Sequence, residues 1–392
     1  MASVKFSDPN PRATVTLHEL SAVQATARRH LTFSMTLACP LKCGHCIVGA
    51  GPDQGATTMP VEVARQYASQ MPQLFEYGIR MVSFTGGEPL LAKEQVRALS
   101  TAATNSGMVC GIVTAAHWAT SASAAMRIIN HLPGIQTWDI SVDAYHEDFL
   151  SLDKVRFAYL ASKRLGKRGI LRFAYHEPLT DRDRQLLAFM AEFADETDVC
   201  SQRIRSVGRA SNLEIVRGDR EVTLSKPCVT KGLVIRYDGT MSPCCINLVE
   251  ERRHPFQFGD ARERPLTEIH TEYMAHSLLQ MIRVIGFGDL LRWLAEIGID
   301  EKTLGPMPED VCDLCPQIMT NRKWADALAC RAAQPENRLR IAILASRILG
   351  EHDMLQQVVR ELQDHAADIE GFELAAALAA ETAQTPVGAQ YS

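Results

Sequence analysis

Short apolar, β-branched runs alternate with longer stretches of helical periodicity between residue 31 and about residue 205. This alternation is typical of repeated βα units, in which successive strands pair in parallel. Strands are predicted at 31–37, 79–84, 108–114, 136–141, 169–175 and 200–205, with helices between them over ranges such as 61–77 and 93–105. Six βα units are too few to close an eight-stranded barrel, so right-handed crossovers should curl them into a partial one.

The pattern changes in the second half of the chain. Two apolar runs flank Asp238-Gly239, a dipeptide that favours a tight hairpin turn. Beyond about residue 325 alanine and leucine predominate, and helical spacing covers 339–349 and 354–365 before a polar tail. We therefore predict an N-terminal extension (1–30), an α/β core (31–215), a small α+β domain (216–325) and a helical C-terminal extension with a flexible tail (326–392).

Composition narrows the class of protein. A chain of 392 residues with 46% hydrophobic content can bury a large core. No apolar run approaches the length needed to span a bilayer, and the polar first eleven residues lack the apolar centre of a signal peptide. A net charge of -5 without a long basic run argues weakly against nucleic acid as a partner. We predict a cytoplasmic protein with no membrane or nucleic-acid partner.

The eleven cysteines carry the most specific chemical signal. In a reducing cytoplasm they are metal ligands or free thiols rather than disulfides. Cys39, Cys43 and Cys46 are separated by three and then two residues. Thiolates suit iron-sulfur clusters, yet a four-iron cluster has four irons to ligate and this run supplies three ligands. One iron would remain open; a zinc site or a fortuitous group of buried cysteines is the alternative.

This spacing resembles the signature of the radical S-adenosylmethionine (radical SAM) superfamily, in which the amine and carboxylate of SAM chelate the open iron. The run Thr85-Gly86-Gly87-Glu88-Pro89 follows about 40 residues later, at the end of the second predicted strand. In the family this motif binds the methionine amine of SAM; paired glycines permit close backbone approach, and a carboxylate accepts hydrogen bonds from ammonium. The resemblance implies a partial (β/α)6 TIM-like barrel that holds a [4Fe-4S] cluster and SAM at the carboxyl edge of its strands.

The resemblance also implies roles for other side chains at this edge. His45 occupies the position before the third cysteine, where the family places a ring near the adenine of SAM. Ser141 and Asp143 correspond to residues that commonly contact the ribose or carboxylate of SAM, although both residue types also favour helix caps. His146, and Tyr175 in the run Tyr175-His176-Glu177, are candidates for a general acid or base.

A second group of cysteines lies in the predicted small domain. Cys228 and Cys244 lie on either side of the predicted hairpin, and Cys312-Asp313-Leu314-Cys315 adds a pair that could complete a four-thiolate site. This pattern resembles the SPASM and twitch extensions of the superfamily. Because further SPASM cysteines are absent after Cys315, it implies a twitch-like domain with one auxiliary [4Fe-4S] cluster. Cys245 could replace Cys244, Cys330 could compete as a ligand, and structural zinc is the alternative.

The resemblance implies reductive cleavage of SAM to a 5'-deoxyadenosyl radical, which removes hydrogen from a C-H bond. Oxidation would pass an electron to the auxiliary cluster, whereas epimerisation needs a free thiol, for which Cys245, Cys110 and Cys200 are candidates. We predict tailoring of a small natural product of sugar or aminocyclitol type, with a flavodoxin or ferredoxin-type electron donor. The alternatives are a maturase acting on a precursor peptide and a non-catalytic iron-sulfur electron-transfer protein.

Overall fold

The computed structural model describes residues 26–214, 227–228, 232–244, 248, 254–304 and 311–383. Within these ranges one open sheet contains eight strands, in the spatial order β6-β5-β4-β3-β2-β1-β7-β8. The strands are His30–Ser34 (β1), Met81–Thr85 (β2), Val109–Thr114 (β3), Thr137–Val142 (β4), Arg168–Tyr175 (β5), Val199–Arg203 (β6), Leu233–Arg236 (β7) and Met241–Ser242 (β8). Neighbouring strands from β1 to β6 are parallel, which confirms the predicted partial (β/α)6 barrel.

Helices alternate with the core strands. They are Val61–Ser69 (α1), Met71–Tyr77 (α2), Lys93–Asn105 (α3), Ala122–His131 (α4), Ala144–Glu147 (α5), Leu152–Arg164 (α6) and Asp181–Met190 (α7). Helix α3 has the predicted bounds and buries Val96, Leu99 and Ala103, whose spacing of three and four residues forms one apolar face. The single helix predicted over 61–77 is wrong: Pro72, in the first turn of α2, lacks the backbone N-H that a continuous helix would need.

The predicted hairpin is present, and its position in the fold was not foreseen. Strands β7 and β8 are antiparallel around the turn at Asp238-Gly239, where Gly239 has φ +80°. A Cβ atom at Gly239 would lie 2.2 Å from Asp260 Oδ1, so the turn requires glycine. Strand β7 also pairs in parallel with β1. The hairpin of the second segment therefore extends the core sheet at the strand that leads to Cys39.

In the described ranges the chain is helical from residue 266 onward, whereas the helical extension was predicted to begin only at residue 326. The helices of this part are Leu266–Ala275 (α8), Ser277–Val284 (α9), Gly288–Glu296 (α10), Glu301–Leu304 (α11), Val311–Met319 (α12), Arg322–Ala332 (α13), Pro335–Leu349 (α14), His352–Leu362 (α15) and Phe372–Ala383 (α16). Helices α14 to α16 enclose a small apolar cluster that includes Leu339, Leu355 and Phe372. None of the helices in the described ranges is long and apolar enough to cross a membrane. The polar tail predicted after residue 365 is wrong as far as residue 383, because α16 (Phe372–Ala383) is helical and packs its buried residues on the neighbouring helices. The predicted N-terminal extension, apart from residues 26–30, and the residues from 384 onward lie outside the described ranges.

A buried ion pair joins the C-terminal helices to α9. Arg283 is fully buried, and its guanidinium forms two hydrogen bonds with the carboxylate of Glu351, which precedes α15. Its Nε also donates to Oε1 of Gln280 at 2.7 Å. Since both charges are withdrawn from water, each depends on the other for compensation.

We expect Glu351→Gln to lower the free energy of unfolding by about 3–5 kcal/mol, because it leaves the buried Arg283 guanidinium without its counter-charge. Anaerobic urea denaturation measures the change. Asp326→Asn is the matched control, since the Arg322–Asp326 pair is almost wholly exposed, and it should change stability little. Equal midpoints for the two variants would contradict the prediction.

Candidate active site

The first cysteine loop lies between β1 and α1, at the carboxyl edge of the sheet. Its backbone closes on itself, because Cys39 N-H donates to Gly51 O (3.0 Å) and Gly51 N-H donates to Leu37 O (3.1 Å). Cys46 N-H donates to Cys43 O at 3.2 Å. Cys39 and Cys43 are buried and Cys46 is half-buried. Local backbone bonds thus hold the three cysteines in one compact loop.

The three thiols lie close enough to influence one another. Burial, with smaller contributions from Glu88 and Cys46, raises the pKa of the Cys39 thiol to about 11. Burial, followed by Asp143 and the thiols of Cys39 and Cys46, raises the pKa of Cys43 well above its usual range. A buried thiolate needs a compensating cation, so this donor set fits a bound metal cluster.

Arg209 stabilises the cysteine loop through hydrogen bonds to its backbone. The sequence analysis assigned this residue no role. It belongs to the 3-10 helix Gly208–Asn212 that follows β6. Its guanidinium donates to the carbonyl oxygens of Cys43 (2.9 Å), Gly49 (3.3 Å) and Ala50 (2.8 Å). The positive charge also lowers the pKa of the Cys43 thiol, against the larger effect of burial. The only sequence signal was a short cluster of arginines at 203, 205 and 209.

The two glycines of the second loop pack against the segment just before Cys39. Gly87 N-H donates to Thr36 O at 2.6 Å, and Glu88 N-H donates to Ala38 O at 2.8 Å. A Cβ atom at Gly86 would lie 2.3 Å from Thr36 O, and one at Gly87 would lie 2.3 Å from Ala38 O. The glycines are therefore required for the contact between two protein loops; their contact with SAM stays a prediction.

The Glu88 carboxylate is fully buried and heavily hydrogen-bonded. It accepts from Leu90 N (3.1 Å), Ala115 N (2.9 Å) and the hydroxyl of Thr114 (2.9 and 3.0 Å). His117 Nδ1 lies 3.6 Å from its Oε2. Glu88 thus connects the end of β2 with the end of β3 through hydrogen bonds. Its contact with the SAM amine stays a prediction.

Asp143 organises the edge next to Cys43. Its buried carboxylate caps α5 by accepting from Tyr145 N (3.0 Å) and His146 N (2.9 Å). It also lies 2.7 Å from His146 Nδ1 and 3.3 Å from His45 Nε2. Although burial opposes it, these imidazoles hold the pKa of Asp143 well below its usual range. The carboxylate in turn raises the pKa of His146 against the effect of burial.

The structure therefore brings together four residues that the sequence analysis singled out: Cys43, His45, Asp143 and His146. Donor atoms of Cys43, His45 and His146 lie within 4.8 Å of one another, a set that would also suit zinc. Ser141 is the second-last residue of β4 and is half-buried. The contacts of His45, Ser141 and Asp143 with SAM remain predictions.

A chain of three polar side chains lies beside this cluster. Tyr145 Oη is 3.1 Å from His176 Nε2, and His176 Nδ1 is 3.1 Å from Asp183 Oδ2. The same oxygen accepts from Thr180 N (2.9 Å) and Thr180 Oγ1 (2.7 Å), so it is an acceptor throughout. In the neutral imidazole, Nδ1 therefore carries the proton and Nε2 accepts from the Tyr145 hydroxyl.

Sequence reasoning named Tyr175 at this edge, and Tyr145 and Asp183 were missed. Tyr175 is buried at the end of β5 and stacks on Phe173, with ring centroids 5.9 Å apart. Tyr145 is half-buried, and its ring stacks on His45 at 4.9 Å. Burial, with the charges of Asp143 and Asp183, raises the pKa of Tyr145. The one available signal for Asp183 was its position three residues after Thr180, which forms a capping box for α7.

Two of the thiols proposed as hydrogen donors, those of Cys110 and Cys200, do not lie at the carboxyl edge of the sheet. Cys110 is buried near the amino end of β3, 3.8 Å from Ser100 O on α3, and burial raises its pKa to about 12. Cys200 is exposed near the amino end of β6, with Arg172 Nη1 3.9 Å from its sulfur. Since both lie away from the carboxyl edge, neither is placed to meet a substrate there. Cys245 lies outside the described residues.

The second group of cysteines converges. Cys312 and Cys315 are three residues apart on α12, so their side chains share a face. Burial, followed by the thiols of Cys228, Cys244 and Cys312, raises the pKa of Cys315 well above its usual value. Cys330 is exposed on α13 and is not among these neighbours. The four converging thiols fit an iron-sulfur cluster or a zinc ion.

Residues 33–159 match the family model of the radical SAM superfamily, and residues 228–287 match SPASM, an iron-sulfur cluster-binding domain. The chain carries a radical SAM domain and a SPASM domain. The first implies a [4Fe-4S] cluster with SAM, and the second implies auxiliary iron-sulfur binding. The SPASM match includes Cys228 and Cys244 and ends before Cys312. The narrower twitch assignment, with a single auxiliary cluster, stays a prediction.

Solved structures show a distant likeness to this chain. A structure of BtrN in complex with AdoMet and 2-DOIA is 15% identical, with 65% of this chain and 87% of that chain covered and a TM-score of 0.39. The FeFe-hydrogenase maturase HydG from Carboxydothermus hydrogenoformans is 12% identical, with 94% and 86% covered and a TM-score of 0.35. Scores this low support no transfer of function. No curated protein matches the chain.

We expect Gly87→Ala to remove the first cluster, because the added Cβ would collide with the carbonyl oxygen of Ala38 and displace Cys39. Iron per reconstituted chain should fall by about four, with SAM cleavage lost. Gly55→Ala is the matched control, since nothing lies within 4 Å of a Cβ atom there, and it should retain iron and cleavage. Full iron content in Gly87→Ala would refute this account of the glycine.

Proposed function

We propose that the protein is a radical SAM oxidoreductase that oxidises a small natural product of sugar or aminocyclitol type. The observation that carries the proposal is the pair of thiol sites, one with three cysteines and one with four. Three thiolates leave an iron for SAM, whereas four thiolates complete the coordination of a cluster and suit it to electron transfer. A complete auxiliary cluster would take the electron that oxidation of the substrate releases.

Oxidation is favoured over epimerisation by the positions of the thiols. Epimerisation needs a free thiol that returns hydrogen to the substrate carbon. Cys110 is covered by α3 and Cys200 lies at the far end of β6, so neither supports this outcome. Epimerisation through Cys245 is the alternative.

When bound, the cluster and SAM supply one-electron chemistry that can remove hydrogen from an unactivated C-H bond. The protein must then accept the proton that leaves the substrate hydroxyl during oxidation. We assign this task to Tyr145, which takes that proton at Oη while passing its own to His176 Nε2, 3.1 Å away. The imidazolium so formed is stabilised by Asp183, which is fully buried and bonded to Nδ1.

The polar character of the edge supports a small, hydroxyl-bearing substrate. Tyr145, His176, His117 and Trp118 are half-buried at the carboxyl ends of β3 to β5. Trp118 Nε1 donates to Thr114 Oγ1 at 2.8 Å, and both ring nitrogens of His176 are engaged with Tyr145 and Asp183. The Tyr145 hydroxyl oxygen and the His117 imidazole are therefore the groups of this set that can meet hydroxyl and amino groups. The precursor-peptide maturase is the second candidate, and substrate screening separates the two. A flavodoxin or ferredoxin is the proposed electron donor.

Anaerobic reconstitution should yield about eight irons per chain in the wild type and about four in the Cys39, Cys43 and Cys46 triple alanine variant. With dithionite as reductant, only the wild type should cleave SAM. About four irons in the wild type, all lost in the variant, would contradict the auxiliary cluster and with it the proposed oxidation.

Tyr145→Phe should slow product formation by about 100-fold, because the phenyl ring cannot relay a proton to His176. Cleavage of SAM should persist, since Tyr145 is not one of the three predicted ligands of the first cluster. Product and 5'-deoxyadenosine are measured together on a panel of aminocyclitols and amino sugars. Tyr77→Phe is the control, because the Tyr77 hydroxyl is 3.0 Å from Thr271, distant in the fold from the relay. Unchanged product formation in Tyr145→Phe would rule out the relay, and turnover of peptides alone would favour the maturase.

A further inference from the structure

One short segment after β6 contacts both cysteine sites. Arg209 donates to backbone carbonyls of the first cysteine loop, including Cys43 O at 2.9 Å. Arg205, four residues earlier, directs Nη1 at the sulfur of Cys312, 2.7 Å away. The segment therefore brings one guanidinium to each of the two sites.

The backbone around Arg205 is held in place. Ile204 and Val207 are buried on either side of it. Ile204 N-H donates to Tyr175 O at 2.9 Å, which continues the pairing between β5 and β6, and Val207 N-H donates to Arg205 O at 2.9 Å. The nearby Arg203 instead pairs with Glu177, at 3.2 Å. The backbone that carries Arg205 is thus anchored in the core domain and not on the helix that bears the cysteines.

We propose that Arg205 raises the reduction potential of the auxiliary cluster through a charge-assisted hydrogen bond to the Cys312 thiolate. One-electron reduction adds a negative charge to the cluster. A positive charge and an N-H donor at a ligand sulfur stabilise the reduced state more than the oxidised state. The inference rests on the proposed function in one respect, namely that the four thiols bind a [4Fe-4S] cluster. It adds that Arg205 makes this cluster a better acceptor for the substrate electron.

The test is a redox titration of the reconstituted full-length protein, followed by electron paramagnetic resonance, in wild type, Arg205→Gln and Arg205→Lys. Spectra with and without SAM assign the signals, because SAM perturbs the cluster with the open iron. We expect the most negative auxiliary potential in Arg205→Gln. Arg205→Lys should lie between it and wild type, since its side chain keeps the charge but is one atom too short for the contact.

Arg203→Gln is the matched control. It removes the same charge two residues before Arg205, from an arginine that pairs with Glu177 instead of Cys312. It should leave the auxiliary potential unchanged. If an Arg205 variant assembles the auxiliary cluster and that cluster has the same reduction potential as in wild type, the inference is overturned and the proposed function still stands. Zinc in the four-thiol site, or about four irons per wild-type chain, overturns the inference and the proposed function together.

Discussion

The structure depends on the cost of holding thiolates out of water. Burial raises the pKa of Cys39 to about 11, and burial together with the neighbouring thiols raises that of Cys315 well above its usual value, so burial favours the neutral form of both thiols. Iron ions remove this cost by neutralising the thiolates, and the surrounding fold supplies additional positive charge. Arg209 does so at the first cysteine loop, and Arg205 does so at the second group. Both groups of thiols are therefore ordered by the protein, and their chemistry fits a bound cluster.

The sheet connects the two sites. Strand β1 leads directly into the loop of Cys39, and its neighbour β7 leads through the hairpin to Cys244. Because β1 and β7 are hydrogen-bonded partners, the radical SAM core and the start of the SPASM domain share one rigid element. The segment after β6 adds a second connection from the opposite edge of the sheet. These two connections hold the two cysteine sites in a defined relative position.

The carboxyl edge also separates two kinds of polar cluster. Asp143 contacts His45 and His146, whose donor atoms lie within 4.8 Å of the Cys43 sulfur. Asp183 instead orients His176 toward the phenol of Tyr145, which leaves a proton path that ends on a half-buried hydroxyl. The two carboxylates therefore have different partners, because Asp143 contacts His45 and His146 whereas Asp183 contacts His176 and Thr180.

Local periodicity and residue spacing encode the βα alternation, the three-cysteine loop, the hairpin at Asp238-Gly239 and the C-terminal helices, so these features could be predicted from the sequence. Which side chains meet follows from the tertiary structure. Pairing of β7 with β1, Arg205 with Cys312 and Tyr145 with His176 joins residues up to 202 positions apart in the chain. No local pattern specifies such contacts, since they follow from the order and direction of strands in the sheet. For the same reason Cys110 and Cys200 were plausible donors in the sequence but lie far from the reactive edge in the fold.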